Sequence, residues 1–120
     1  MKILLVDDEV AFIRALATRL SLRGIEADWT GSPEEAVKMV EKISYDIAVL
    51  DMKMPKIDGI KLKRQLHEIC PEMRFIFLTG HGSEETFKAG VSEAGADNYM
   101  LKPVGIEDLM MKINEIRAQD

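Results

Sequence analysis

Four apolar runs in this chain each close on a polar residue, and that pattern restricts the fold more than any other. Ile3-Leu4-Leu5-Val6 ends in Asp7-Asp8, and Ile47-Ala48-Val49-Leu50 ends in Asp51. Phe75-Ile76-Phe77-Leu78 ends in Thr79, and Tyr99-Met100-Leu101 ends in Lys102-Pro103. The runs at 2–6, 47–50 and 74–78 are almost continuously apolar, as parallel strands covered on both faces require. In an open parallel α/β sheet the carboxyl ends of the strands share one edge, where ligands bind. Three carboxylates, a hydroxyl and an ammonium would converge there, a set suited to a divalent cation and a phosphoryl group.

The intervening segments carry helical periodicity and are long enough to be crossover connections. Phe12, Ile13, Leu16 and Leu20 recur at helical spacing and Gly24 is a stop. Ile25 to Thr30 reads as a second strand, with Ile25, Ala27 and Trp29 alternating against Glu26, Asp28 and Thr30. Ser32-Pro33-Glu34-Glu35 predicts a helix start: Ser32 as N-cap, Pro33 at the first position and Glu35 completing a capping box. Ala36, Val37, Val40 and Ile43 would form its buried stripe. Asp58-Gly59 reads as a turn pair ahead of a third helix marked by Ile60, Leu62, Leu66 and Ile69, which Cys70-Pro71 terminates. Ser83-Glu84-Glu85-Thr86 opens a fourth helix that Gly95 stops. Gly90 within it predicts the least stable helix. A short strand, Asn98 to Leu101, precedes a last helix with Ile106, Leu109, Met110, Ile113 and Ile116 facing inward. The expectation is a single α/β domain over residues 1–120: a doubly wound (βα)5 fold with a five-stranded parallel sheet.

With 120 residues, 47% of them hydrophobic, one core is expected. The net charge of −5 and the scattering of Lys and Arg among acids argue against a nucleic-acid surface. Cys70 stands alone, so no internal disulfide forms, and no Cys/His cluster has zinc spacing. The opening apolar run stops at Asp7, too short for a signal peptide, and no segment reaches membrane-spanning length. A reducing cytoplasm is the expected location.

Each polar residue also has an ordinary reading. Asp7-Asp8 would serve as a helix cap, Asp51 as an Asx-turn residue, Thr79 as a strand end and Lys102 as a solvated loop charge. Their shared topological position is what sets them apart.

The ordered set resembles the receiver domain of bacterial two-component response regulators over essentially the full length. The matching residues are Asp7-Asp8, then Asp51 followed by Met52-Lys53-Met54-Pro55 and Asp58-Gly59. Thr79-Gly80, Gly95-Ala96, Tyr99 and Lys102-Pro103 complete the set. The resemblance implies a flavodoxin-like strand order 2-1-3-4-5 and a phosphoryl group received on Asp51 from a histidine kinase or phosphotransfer protein. It implies Mg2+, or Mn2+, held by Asp7, Asp8, Asp51 and the backbone carbonyl of Lys53. Thr79, a backbone N–H at Gly80 and Lys102 would bind the phosphoryl oxygens, and a cis peptide would precede Pro103. Thr79 and Tyr99 would form the switch, repacking the face made by the fourth helix, fifth strand and fifth helix. Phe87, Val91 and Met111 are candidates for exposure on that face. Lys53 and His81 would tune the phosphoryl lifetime; His67 has no assigned role.

Such a domain catalyses only its own phosphorylation and dephosphorylation. Two other classes compete. A Mg2+-dependent phosphohydrolase of the haloacid-dehalogenase type would place a second Asp two residues after the nucleophile, where this chain has Lys53, and would need room for a cap domain. A pseudo-receiver would bind partners without phosphorylation, which the complete acidic pair, Asp51, Thr79 and Lys102 argue against. An output partner is expected on the face made by the fourth helix, fifth strand and fifth helix. No membrane contact and no direct nucleic-acid binding are expected, and the state is a monomer or a phosphorylation-dependent homodimer. The chain ends at Ala118-Gln119-Asp120 just past the last helix, compatible with a free-standing receiver or one from a larger regulator or hybrid kinase.

Overall fold

The computed structural model describes residues 1–80 and 98–119. Along these the elements are β1 (Lys2–Val6), α1 (Val10–Leu22), β2 (Glu26–Thr30), α2 (Pro33–Lys42) and β3 (Ile47–Asp51). There follow α3 (Gly59–Ile69), β4 (Arg74–Thr79), β5 (Tyr99–Leu101) and α4 (Ile106–Ala118). The helix expected between Ser83 and Gly95 lies outside the described residues, as do His81, Phe87 and Val91. The five strands form one sheet in the order β2-β1-β3-β4-β5, and every neighbouring pair is parallel.

Alternate strand residues face opposite sides of a sheet, and both sides are covered here. Ile3, Leu5, Val49, Ile76 and Leu78 pack with Ile13, Leu16 and Leu20 of α1 and Leu109, Ile113 and Ile116 of α4. Leu4, Val6, Ala48, Leu50, Phe77 and Tyr99 pack on the other side with Ala36 and Val40 of α2 and Leu62 and Leu66 of α3. That double cover is why the central strands have no polar alternation. Among the described residues, no helix is long and apolar enough to cross a membrane.

Several local expectations change. The alternation in β2 does not bury Trp29, which is 37% exposed, whereas Thr30 is buried. β2 is an edge strand paired only with β1, so a large side chain there overhangs the rim. The α2 cap is half as expected: Ser32 Oγ accepts from the Glu35 N–H at 3.2 Å. The Ser32 N–H, however, donates to the Thr30 hydroxyl at 3.1 Å, so Thr30 takes the part assigned to the Glu35 side chain. Asp58-Gly59 is no free-standing turn. Asp58 is the N-cap of α3, its Oδ1 accepting from the Lys61 N–H at 2.8 Å, and Gly59 is the first helical residue. Val37, Ile43 and Ile60 are half-buried and Ile69 is exposed, so the α2 and α3 stripes are narrower than their sequence patterns. Gly24, past α1, has φ +81°, a conformation that favours glycine.

Candidate functional site

Backbone pairing carries each strand-end residue to the same edge. The Asp7 N–H donates to the Thr30 carbonyl at 3.2 Å, extending the β1–β2 ladder by one residue. Asp51 closes β3 opposite Leu78, and the Met52 N–H donates to the Leu78 carbonyl at 2.8 Å. The Lys102 N–H donates to the Thr79 carbonyl at 2.7 Å, so Lys102 leaves β5 beside the end of β4. The Lys102–Pro103 peptide bond is cis.

Asp7, Asp8 and Asp51 each present a carboxylate oxygen within 4.8 Å of the others. Asp7 and Asp51 are buried, while Asp8 is exposed at the mouth. The Asp8 carboxyl does not cap α1: Glu9 is the N-cap residue, and its side chain accepts no capping bond from the helix. Asp7 Oδ1 accepts from the Glu9 N–H at 2.9 Å. Among the described residues its Oδ2 has no aligned hydrogen-bond donor, although the Lys102 ammonium stands 2.8 Å away. Asp51 Oδ1 accepts a long bond, 3.4 Å, from the Lys53 N–H; this is the Asx-type contact expected of a plain turn residue, and it coexists with the carboxylate cluster. The Lys53 side chain is exposed.

The Lys102 side chain is buried, with its Nζ 2.8 Å from Asp7 Oδ2, 2.8 Å from Glu9 Oε1 and 3.5 Å from Asp51 Oδ2. Burial works against its charge, but the contacts to Asp7 and Glu9 more than offset that and raise its pKa. For Asp51, burial first and the Asp7 charge second push the carboxyl from its ordinary 3.8 up to about 7, against the pull of Lys102. Burial also raises Asp7. Adjacent buried carboxylates favour uptake of positive charge, either protons or a cation. An all-oxygen set with an unaligned buried oxygen suits a hard divalent ion, whose attraction is radial, so these residues fit such an ion.

Thr79 is buried on the same sheet face as Phe77, two residues earlier, and Phe77 pairs with Tyr99 across the β4–β5 ladder. Thr79 and Tyr99 therefore share a face one diagonal step apart. The Cβ that Gly80 lacks would meet no atom of the described residues within 4 Å.

Two features escaped the sequence reading. Glu9, the third acid of Asp7-Asp8-Glu9, binds Lys102; the only signal for it was the length of that acidic run. Gly59 lies against Asp51: a Cβ there would come within 2.6 Å of the Asp51 carbonyl oxygen. Its N–H donates to the Met52 carbonyl at 3.0 Å, pinning the start of α3 beneath the site.

The family model for the response regulator receiver domain matches residues 3–114. The response regulator MprA of Mycobacterium leprae is 35% identical over 116 residues, 97% of this chain and 50% of that protein. The chain thus spans about half the length of the curated relatives it matches. Among solved structures, a response regulator receiver domain protein (CheY-like) from Methanospirillum hungatei aligns with a TM-score of 0.88 and 32% identity, covering 98% of this chain and 94% of that one. A response regulator from Burkholderia pseudomallei, solved with a phosphorylated aspartic acid, calcium ion and citrate, aligns with a TM-score of 0.83 and 28% identity, covering 98% and 71%. Sequence family, sheet order and the acidic cluster at the strand ends agree: the chain belongs to the response regulator receiver domain family of bacterial two-component systems.

Proposed function

We propose that residues 1–120 form one receiver domain that accepts a phosphoryl group on Asp51 in a Mg2+-dependent reaction and acts as a signalling switch. The observation that carries this reading is the convergence of Asp7, Asp8 and Asp51 within 4.8 Å, with a buried lysine ammonium 3.5 Å from Asp51. The Burkholderia relative with a phosphorylated aspartic acid and a calcium ion supports the same chemistry.

Asp7, Asp8 and Asp51, with the Lys53 carbonyl, hold the cation. Bound Mg2+ supplies the positive charge that relieves repulsion among the carboxylates and screens the incoming phosphoryl group. An Asp51 carboxylate oxygen attacks phosphorus in line. The new O–P bond forms as the N–P bond to the donor histidine breaks, and the imidazole leaves. Lys102 pairs with one phosphoryl oxygen, and the Thr79 hydroxyl and the Gly80 N–H donate to others. Drawing Thr79 toward the phosphoryl group opens space on the face it shares with Tyr99, so the ring turns inward. The output face comprises β5, α4 and the helix expected from Ser83. Leu101 and Met111, 61% and 62% exposed, provide apolar contact there for a downstream partner or a second copy. Lys53, together with His81, sets the phosphoryl lifetime. The domain works in the cytoplasm with a sensor histidine kinase or phosphotransfer protein.

Incubation with Mg2+ and acetyl phosphate tests this. The expected result is a stable mass increase of one phosphoryl group, mapped to Asp51 and absent from Asp51→Asn. Rapid multiple turnover would instead indicate a phosphohydrolase, and no uptake a pseudo-receiver.

A further inference from the structure

Lys102 is held on the α1 side of the pocket rather than against Asp51. Glu9 Oε1 accepts a charge-assisted hydrogen bond from its Nζ at 2.8 Å, and Asp7 Oδ2 stands at the same distance as an ion-pair partner. Asp51 is farther, at 3.5 Å. The Phe12 ring, also on α1, adds a cation–π contact at 5.4 Å from its centroid. Of these carboxylates Asp7 and Asp51 belong to the group able to hold a cation, and Glu9 does not. With Asp7 and Asp51 engaged by a divalent ion, Glu9 would be the carboxylate left competing for the ammonium.

We propose that Glu9 is a positioning residue that parks the Lys102 ammonium at the mouth of α1, and that the ammonium passes from Glu9 to the phosphoryl group when Asp51 is modified. This rests on the phosphoacceptor reading of Asp51. The Glu9 side chain is 66% exposed, so the competing contact is weak enough to be broken by a dianion yet strong enough to be measured. Exposed ion pairs correspond to about a two- to fivefold change in an equilibrium constant. Glu9 thereby sets how much phosphoryl charge must arrive before Lys102 moves.

The test uses beryllofluoride, a phosphoryl analogue, with saturating Mg2+. Affinity is measured by calorimetry, and the Lys102 ammonium is followed by NMR of nitrogen-labelled lysine. Glu9→Gln should bind beryllofluoride about two- to fivefold more tightly than wild type. Glu9→Asp, which keeps the charge but shortens the reach, should shift in the same direction. The Lys102 resonance should differ between wild type and Glu9→Gln in the free protein and coincide in the two complexes. Unchanged or weakened affinity, a wild-type-like Glu9→Asp, or resonances that still differ in the complexes would each overturn the proposal. If wild type binds no beryllofluoride while Glu9→Gln still moves the free Lys102 resonance, the phosphoacceptor reading has failed, not the Glu9 contact.

Discussion

Removing the charge of Asp51 should stabilise this protein when no divalent cation is present, and the gain should grow with pH. Asp51 is buried, 4% exposed, and burial followed by the Asp7 charge pushes its pKa from 3.8 up to about 7. Because the folded state binds this proton more tightly than the unfolded chain, stability is full below the unfolded value. It is lost as pH climbs from about 3.8 to about 7. Taken alone, that displacement corresponds to roughly 4 kcal/mol. Part of that shift is the Asp7 charge, and the Asp51→Asn variant forfeits the 3.5 Å attraction to Lys102, so about half, roughly 2 kcal/mol, is the expected net gain above neutrality. For a domain of this length that is a rise in Tm of roughly 6–10 °C. Thermal melts of wild type and Asp51→Asn in EDTA at pH 8 and pH 4.5, followed by circular dichroism, read it directly. A clear gap at pH 8 that nearly closes at pH 4.5 is expected. Equal Tm values at pH 8, or a larger gap in acid, would refute the electrostatic account of the pocket.

The same frustration should make the wild type a sensitive cation detector. Mg2+ at a hundred times its Kd adds about 2.7 kcal/mol, and Asp8→Ala should abolish most of that gain in a melt series against Mg2+. Gly59→Ala drives a Cβ to 2.6 Å from the Asp51 carbonyl oxygen. A loss of about 1–3 kcal/mol in urea titration is expected, with slower acetyl phosphate uptake because Asp51 itself is displaced; wild-type behaviour in both would show that α3 yields freely. Thr30→Val deletes the acceptor of the Ser32 N–H and should cost about 1–2 kcal/mol without changing phosphoryl uptake, which separates folding from chemistry in one variant.

What the chain determines locally was readable without a structure. Apolar runs closing on Asp7, Asp51, Thr79 and Lys102 specify strands whose ends meet, since parallel strands buried on both faces tolerate polar residues only at their ends. Ser32-Pro33 and Gly24 announce their helix ends because caps and left-handed glycines act within a few residues. Trp29 and Asp58-Gly59 misled for the same reason: a pattern two to four residues long does not say that a strand lies at an edge, or that a helix starts against a neighbouring carbonyl. Only the tertiary structure decided which charges face one another. Glu9 and Lys102 are 93 positions apart and touch at 2.8 Å. The tilt of Lys102 toward α1, rather than toward Asp51, depends on three attractions, from Asp7, Glu9 and Phe12, that the fold brings to a residue far along the chain. Side-chain allegiance in a buried pocket is a competition among distances. Sequence names the competitors, but only the fold sets how far apart they stand.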